Sequence, residues 1–592
     1  MVRAFAPWRP GNDPVKKRRP IVPPPKPPPP DPSWPVYAGG VAIVLAGLAA
    51  YHNSFAGTFI FDDRAAIISN PTIRHLGSLG QVFSPPPGSS AGGRPVVNLS
   101  LAVNYALSGS QVWSYHVLNL MAHLLAGLFL FGLVRRTLLQ PVLRERWGAA
   151  ALPVAFVTAA LWTVHPLQTE AVTYVIQRAE GLMGMFYLLT LYAVVRAAGQ
   201  PRPGGWTAVA VVSCLLGMAS KEVMVSAPVL ALLYDRTFIA GSFREAWRQR
   251  WRLYLGLAAT WVVLGYLVLS IGGDRGGTAG FDVGVAWWAY GLTQFQAVSH
   301  YLWLAVWPHP LVFEYGPTWV KHPAEVMPYA IVVVGVVAGT LWALKFRPAL
   351  GFLGVWFLAI LAPTSLVPGT TQMIVEHRMY LPLAAVLVLV VLGLQRLAGK
   401  RSLIVGTALV VGAGCLTERR NDDYRSELAM WGDTLAKRPD NARAHHDMAF
   451  ALSNAGRFDE AVEQYHEALR LKPDDAETHN NLGGTLQRLG RIAEAVDEYH
   501  EALRLKPNYA AAHNNLGNTL AQMGRMDEAI AEFQQVVRLD PPYLKARVNL
   551  GHALALVGRV DEAIAQEQEV LRLDPENAAA RQLLMQYQGQ QR

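Results

Sequence analysis

The chain has two cysteines among its 592 residues, and charge on only 16% of them. Cys214 and Cys415 both sit inside apolar stretches, which excludes a disulfide framework and any cysteine-based metal spacing. Many of the basic residues flank apolar segments rather than forming a nucleic-acid-coating surface. The net charge of +9 is explained by membrane orientation, and no nucleic-acid partner is expected. The N-terminus also lacks the apolar core of a cleavable signal peptide. Residues 1–35 form a Pro-rich basic tail containing Lys16-Lys17-Arg18-Arg19, which predicts a disordered cytoplasmic segment followed by a retained first span.

Apolar residues are abundant, at 52%, and almost all of the excess lies before residue 420. Apolar runs approaching bilayer length occupy 36–52, 116–134, 149–165, 181–197, 206–220, 223–239, 253–271, 326–344, 350–367, 379–395 and 402–417. This predicts an all-α polytopic bundle of about 11 spans over residues 36–420. Basic clusters follow every second run: Arg135 and Arg136, Arg196 and Arg202, Arg244 to Arg252, Lys345 and Arg347, Lys400 and Arg401. Short basic loops favour the cytoplasm, so the tail is expected inside and the C-terminal region outside. The aromatic, glutamine-bearing stretch 287–307 is expected to lie at the interface, because a further span would invert the later clusters.

After residue 420 the pattern changes. Pro473, Pro507, Pro541 and Pro575 are 34 residues apart, as are Gly456, Gly490, Gly524 and Gly558. That period marks tetratricopeptide repeats, with a partial unit closed by Pro439, four full units and a capping helix over 421–592. Asp447, Asn481, Asn515 and Asn549 recur on the groove-facing side of each unit's first helix. Such a ladder can bind an extended acceptor peptide through its backbone, and the competing reading is polar packing between repeats.

The predicted outer loops gather charge at one membrane boundary: Asp62 and Asp63, Arg94, His165, Glu170, Arg178, Lys221, Glu222, Glu376 and Arg378. Carboxylates and cations together at a wet boundary suit sugar transfer from a lipid phosphate. A carboxylate takes the acceptor hydroxyl's proton, and cations stabilise the departing phosphate. Each signal also has a structural reading, as an acidic loop, a helix terminus or a surface ion pair. His116, Asn119 and His123 share one face of the second span and are expected to hydrogen-bond between helices rather than to bind metal. No metal or other cofactor is expected.

Phe61-Asp62-Asp63-Arg64-Ala65-Ala66-Ile67 with Asn70-Pro71 resembles the first-loop signature of the transmembrane and TPR repeat-containing O-mannosyltransferases, of the glycosyltransferase C superfold. Further blocks resemble it in the same order: Arg94-Pro95, Tyr115-His116, His165-Pro166, Thr169-Glu170-Ala171-Val172, Arg178-Ala179-Glu180, Lys221-Glu222 and Glu376-His377-Arg378-Met379. The resemblance implies a catalytic base at Asp62 or Asp63, with Asp63 slightly favoured. It implies donor-phosphate contacts at Arg178, Lys221 and Arg378, and donor or acceptor positioning by Arg94, His165, Glu170, Glu222 and Glu376. The implied donor is a polyprenyl-phosphate-linked mannose or other hexose, and the implied acceptor is a protein Ser or Thr in the repeat groove. Short loops and a compact array suggest a bacterial inner-membrane relative with a periplasmic array. The alternatives are a lipid-linked oligosaccharide ligase or polymerase, and a non-enzymatic membrane scaffold.

Overall fold

The computed structural model describes residues 33–86, 88–271, 286–316, 320, 323–368 and 373–590. The expected disordered tail lies outside these residues through position 32. Every regular element among them is helical.

Each of the eleven apolar runs is a helix. In chain order the principal bundle helices are α1 (Trp34–Tyr51), α2 (Pro95–Ser108), α3 (Trp113–Leu138), α4 (Ala151–Thr163), α5 (Arg178–Ala198), α6 (Gly204–Met218) and α7 (Ala227–Phe238). They continue as α8 (Phe243–Ser270), α9 (Trp287–Val306), α10 (Met327–Phe346), α11 (Pro348–Leu366), α12 (Pro382–Ala398) and α13 (Ser402–Asp422). Seven helical segments are long and apolar enough to cross a membrane, or eight if the bent pair Pro141–Thr163 and Pro166–Thr173 is one span. Among these, α12 and α13 form one 41-residue segment, Pro382–Asp422. With 15 and 12 residues, α6 and α7 are shorter than a bilayer core requires and pack within the bundle. Eleven is therefore the number of apolar helices, rather than the number that individually reach bilayer length.

The bundle has two unlike ends. At one end Arg136 lies 5.5 Å from the Tyr192 ring, Arg196 lies 4.4 Å from the Trp206 ring, and Arg250 pairs with Asp235 at 2.9 Å. The opposite end carries the charged loops and the repeat array. Both ends of α9 meet that loop face. Tyr290 donates to the Thr364 carbonyl at 2.6 Å, Ser299 to the Tyr329 carbonyl at 3.4 Å, and Tyr301 accepts from the Val375 amide at 2.9 Å. These contacts lay α9 along the loop face, in keeping with its interfacial composition. The polar side chains of α3 bond between elements: His123 meets the Tyr380 hydroxyl at 2.9 Å and the Thr163 carbonyl at 2.8 Å, while Asn119 donates to the carbonyls of Val172 and Val175.

The array begins with α14 (Glu427–Lys437) and α15 (Ala442–Asn454), and α15 opens the first of four helix pairs. The helix Ala578–Gln590 caps the last pair. Between paired helices Gly456, Gly490, Gly524 and Gly558 adopt φ of +77° to +81°, a left-handed turn that glycine takes without a steric penalty. Gly483 faces Tyr499 and Gly517 faces Phe533, small against large, so the helices approach closely. In the fourth pair the same position holds Glu567, fully buried against Gly551 and with no hydrogen-bond partner. The period alone gave no warning of that exception.

Bundle and array share a seam. Phe313, in the loop after α9, stacks edge-on against Phe61, Tyr174, Tyr424 and Trp431 at centroid distances of 5.4–6.0 Å. Arg420, at the end of α13, pairs with Asp423 at 2.8 Å and with Asp433 of α14 at 2.7 Å, and it approaches Glu376 at 3.8 Å.

Candidate active site

The first loop turns sharply at Phe61, which holds φ of +45°, a conformation that costs a non-glycine residue free energy. The Phe61 amide donates to Glu427 of α14 at 3.1 Å, and Arg64 pairs with the same carboxylate at 3.1 Å. The array thus holds the turn that sets the next two residues, and those two diverge.

Asp63 points inward. It is fully buried, and its oxygens accept from the backbone amides of Ile60 at 3.1 Å and Ile176 at 2.7 Å. Burial pushes its carboxyl up to about 8 even so. The carboxyl serves as a bracket between the first loop and the segment before α5.

Asp62 stays half-buried, with its amide donating to the Tyr174 hydroxyl at 3.0 Å. Burial raises its carboxyl above the usual range, while a hydrogen bond with Ser90 and the cations Arg443 and Arg94 pull it back. Arg94 approaches Glu222 at 3.7 Å. Arg443 comes from α15 of the array; it lies 3.6 Å from both Glu314 and Asp447 and 5.3 Å from the Phe61 ring. Asp447, the first member of the expected groove ladder, is pushed up to about 7, chiefly by burial, with Glu314 and Asp62 among the like charges acting on it. Arg443 lies one helical turn before Asp447, an i, i+4 pair that could have flagged it in the sequence.

The other expected residues divide by partner. Arg178 is buried and bonded to neutral groups: Asn104 at 2.6 Å, Ser100 at 3.2 Å and the Tyr115 carbonyl at 3.1 Å. It ties α2 and α3 to α5, and its charge acts on Asp63. Lys221 is buried in an ion pair with Glu180. Glu170 holds His377 through the ring at 2.6 Å and the backbone amide at 3.0 Å. Glu376 accepts from the Val312 amide at 2.6 Å and the Tyr315 hydroxyl at 2.9 Å. Arg378 donates to the Met373 carbonyl at 3.1 Å and interacts with Tyr290 and Tyr301. His165 accepts from the Leu167 amide at 3.3 Å and caps a short helical turn.

In the groove ladder, Asn515 donates to Asn480 at 2.9 Å, while Asn549 donates to Asn514 at 3.1 Å and Asn518 at 3.0 Å. Asn481 meets His446 at 3.4 Å. Asn515 makes one amide bond, and Asn549 two, to the preceding repeat. All three asparagines remain half-exposed.

Residues 452–490 match a TPR repeat family, and 474–541 and 514–578 match tetratricopeptide repeat families. The chain is 24% identical over 455 residues to a protein O-mannosyl-transferase of Caenorhabditis elegans, covering 72% of this chain and 62% of that protein. It is 26% identical to protein O-mannosyl-transferase Tmtc3 of Drosophila melanogaster, over 73% of this chain and 54% of the relative. With protein O-mannosyl-transferase TMTC1 of Homo sapiens it shares 27% identity over 73% and 55% of the two chains. The chain thus spans between half and two thirds of the length of these relatives.

Proposed function

We propose that this protein is a membrane glycosyltransferase that moves one hexose from a polyprenyl-phosphate donor to a Ser or Thr hydroxyl of a protein held in the repeat groove. The single observation that carries this reading is that Arg443 of the array, 3.6 Å from Asp447, lies 5.3 Å from the ring of Phe61, the residue before Asp62, and acts on the Asp62 carboxyl. A polypeptide lying along the groove toward its first repeat would run directly to the first-loop carboxylate. The names of the relatives support the same class of activity.

In this reading Asp62 accepts the proton of the acceptor hydroxyl as its oxygen attacks the anomeric carbon. The bond from that carbon to the phosphate oxygen breaks, the new glycosidic bond forms with inversion, and the electron pair leaves on the polyprenyl phosphate. Arg94, whose charge acts on the Asp62 carboxyl, is the cation best suited to stabilise the developing phosphate charge. Arg178, Lys221 and Arg378 act behind it by holding the loops. The positive-inside rule would put the basic end in the cytoplasm and the active face outside, which in a bacterium means the periplasm.

Purified full-length protein, reconstituted with polyprenyl-phosphate mannose and a Ser/Thr-containing acceptor, tests this by mass spectrometry. A single hexose increment on Ser or Thr is expected. A ladder of oligosaccharide repeats would indicate a ligase or polymerase, and binding of the acceptor without modification would indicate a scaffold; either outcome overturns the proposal.

A further inference from the structure

A cavity of about 550 Å³ opens at the basic end of the bundle, far from the loop face, between α3, α7, α11 and α12. Its walls are apolar, and among the described residues the charged side chains lining it are Arg146, Arg347 and Arg396. All three are exposed, and among the described residues none forms an ion pair. They come from three separate segments, the loop after α3, the α10–α11 turn and the end of α12, and converge because every second loop lies at this end.

The cavity runs inward from Arg396 to Ala384 along α12. Twelve helical residues give a depth of about 18 Å, close to one leaflet of a bilayer core about 30 Å thick. Trp356, with Ala384 and Ala385, closes the inner end. Its side is open: Val142, Leu350 and Leu389 line it and are 67%, 47% and 45% exposed. Near the mouth, the Thr237 hydroxyl is buried on the wall without a hydrogen-bond partner among the described residues. An apolar slot of leaflet depth, open sideways and ringed by unpaired cations at headgroup level, has the chemistry of a site for a phosphate-headed lipid. Its closed inner end and limited volume fit one straight acyl chain and leave no room for a long polyprenyl chain.

We propose that this cavity holds one acyl chain of an anionic glycerophospholipid, with its phosphate gripped by Arg146, Arg347 and Arg396 and a glycerol or ester oxygen bonded to Thr237. The lipid bridges α3, α11 and α12 at the end opposite the loops. The site rests on the membrane character of the bundle and does not depend on the transfer reaction.

Delipidated full-length protein is exchanged into micelles containing phosphatidylglycerol, phosphatidylcholine or polyprenyl phosphate, and bound lipid is read by native mass spectrometry. One phosphatidylglycerol per chain is expected, with retention roughly a hundred-fold weaker in the R146Q/R347Q/R396Q variant, since each interfacial arginine contributes about 1 kcal/mol. A second variant leaves the arginines intact: Gly393 lines the cavity, nothing lies within 4 Å of where its Cβ would be, and Gly393→Trp introduces an indole there to occupy the space. That variant is expected to lose the lipid as well. Equal retention of phosphatidylcholine, preference for polyprenyl phosphate, or undiminished binding in either variant overturns the proposal.

Discussion

Charge is used in opposite ways in the repeat array and at the loop face. In the array it is paired locally and in solvent: Arg457 with Glu460, Arg491 with Glu494, Arg525 with Glu528 and Arg559 with Glu562, each three residues apart and repeated with the 34-residue period. At the loop face the pairs are distant in sequence and mostly buried: Lys221 with Glu180, Glu170 with His377, and Arg420 with Glu376. Local exposed pairs follow from any helix of that sequence and add little to stability. Buried pairs from separate segments exist only in the folded chain, and losing one partner strands a charge. The comparison separates scaffold from site. Where a buried charge keeps a half-exposed edge beside cations of both regions, as Asp62 does, it has the surroundings of a reactive group.

The sharpest way to break this comparison is to exchange the two neighbouring aspartates. Asp62→Asn is expected to reduce hexose transfer by about 10²–10⁴-fold, the usual contribution of a general base, with the thermal midpoint unmoved. Asp63→Asn should do the reverse in kind. It turns an amide NH₂ toward one of two buried backbone donors, and the unfolding midpoint drops by the equivalent of about 1–3 kcal/mol. Next in size, Lys221→Met leaves Glu180 buried without its partner and should destabilise the detergent-solubilised protein by about 3–5 kcal/mol, with the K221M/E180Q double variant recovering most of the loss. Full stability in Lys221→Met would dissolve the contrast between the two regions.

A smaller effect is expected at the one place where the array departs from its own rule. Glu567 is buried where other repeats carry Tyr465, Tyr499 or Phe533, and burial pushes its carboxyl up to about 8. The folded state therefore holds a proton that the unfolded state releases between 4.5 and about 8, so array stability falls as pH rises through that window. Glu567→Tyr should raise the unfolding midpoint at pH 8 and flatten its pH dependence, as read by circular dichroism. The smallest effect is assigned to Arg491→Ala, whose exposed pair with Glu494 is expected to leave the midpoint unchanged.

Much of this was legible from residues alone, for reasons that also mark the limit. The array was readable because its contacts lie within 34 residues and recur, and the apolar helices because bilayer length imposes a long signal. The loop charges could be grouped from the sequence because basic loops alternate with them along the chain. What stayed hidden depended on direction. Whether Asp62 or Asp63 turns inward is decided by the left-handed backbone at Phe61, which a tertiary contact with Glu427 supports. The partners of Arg178, Asn104 and Tyr115, lie 74 and 63 residues away, beyond any local pattern. The asparagine spacing identified a face, while the bonds from Asn515 and Asn549 to neighbouring repeats depend on how the repeats stack. Arg443 was missed although its i, i+4 spacing to Asp447 is local, because its approach to the first loop depends on how the array meets the bundle.

That residue offers the most direct test of whether bundle and array form one active centre. Arg443 lowers the Asp62 carboxyl from the array side, so removing its charge should raise it. The pH profile of hexose transfer, measured for the wild type and for Arg443→Gln, is predicted to have its acidic limb displaced toward higher pH in the variant. Superimposable profiles at equal rates would mean that the array does not act on the reacting carboxylate, and the account would be wrong.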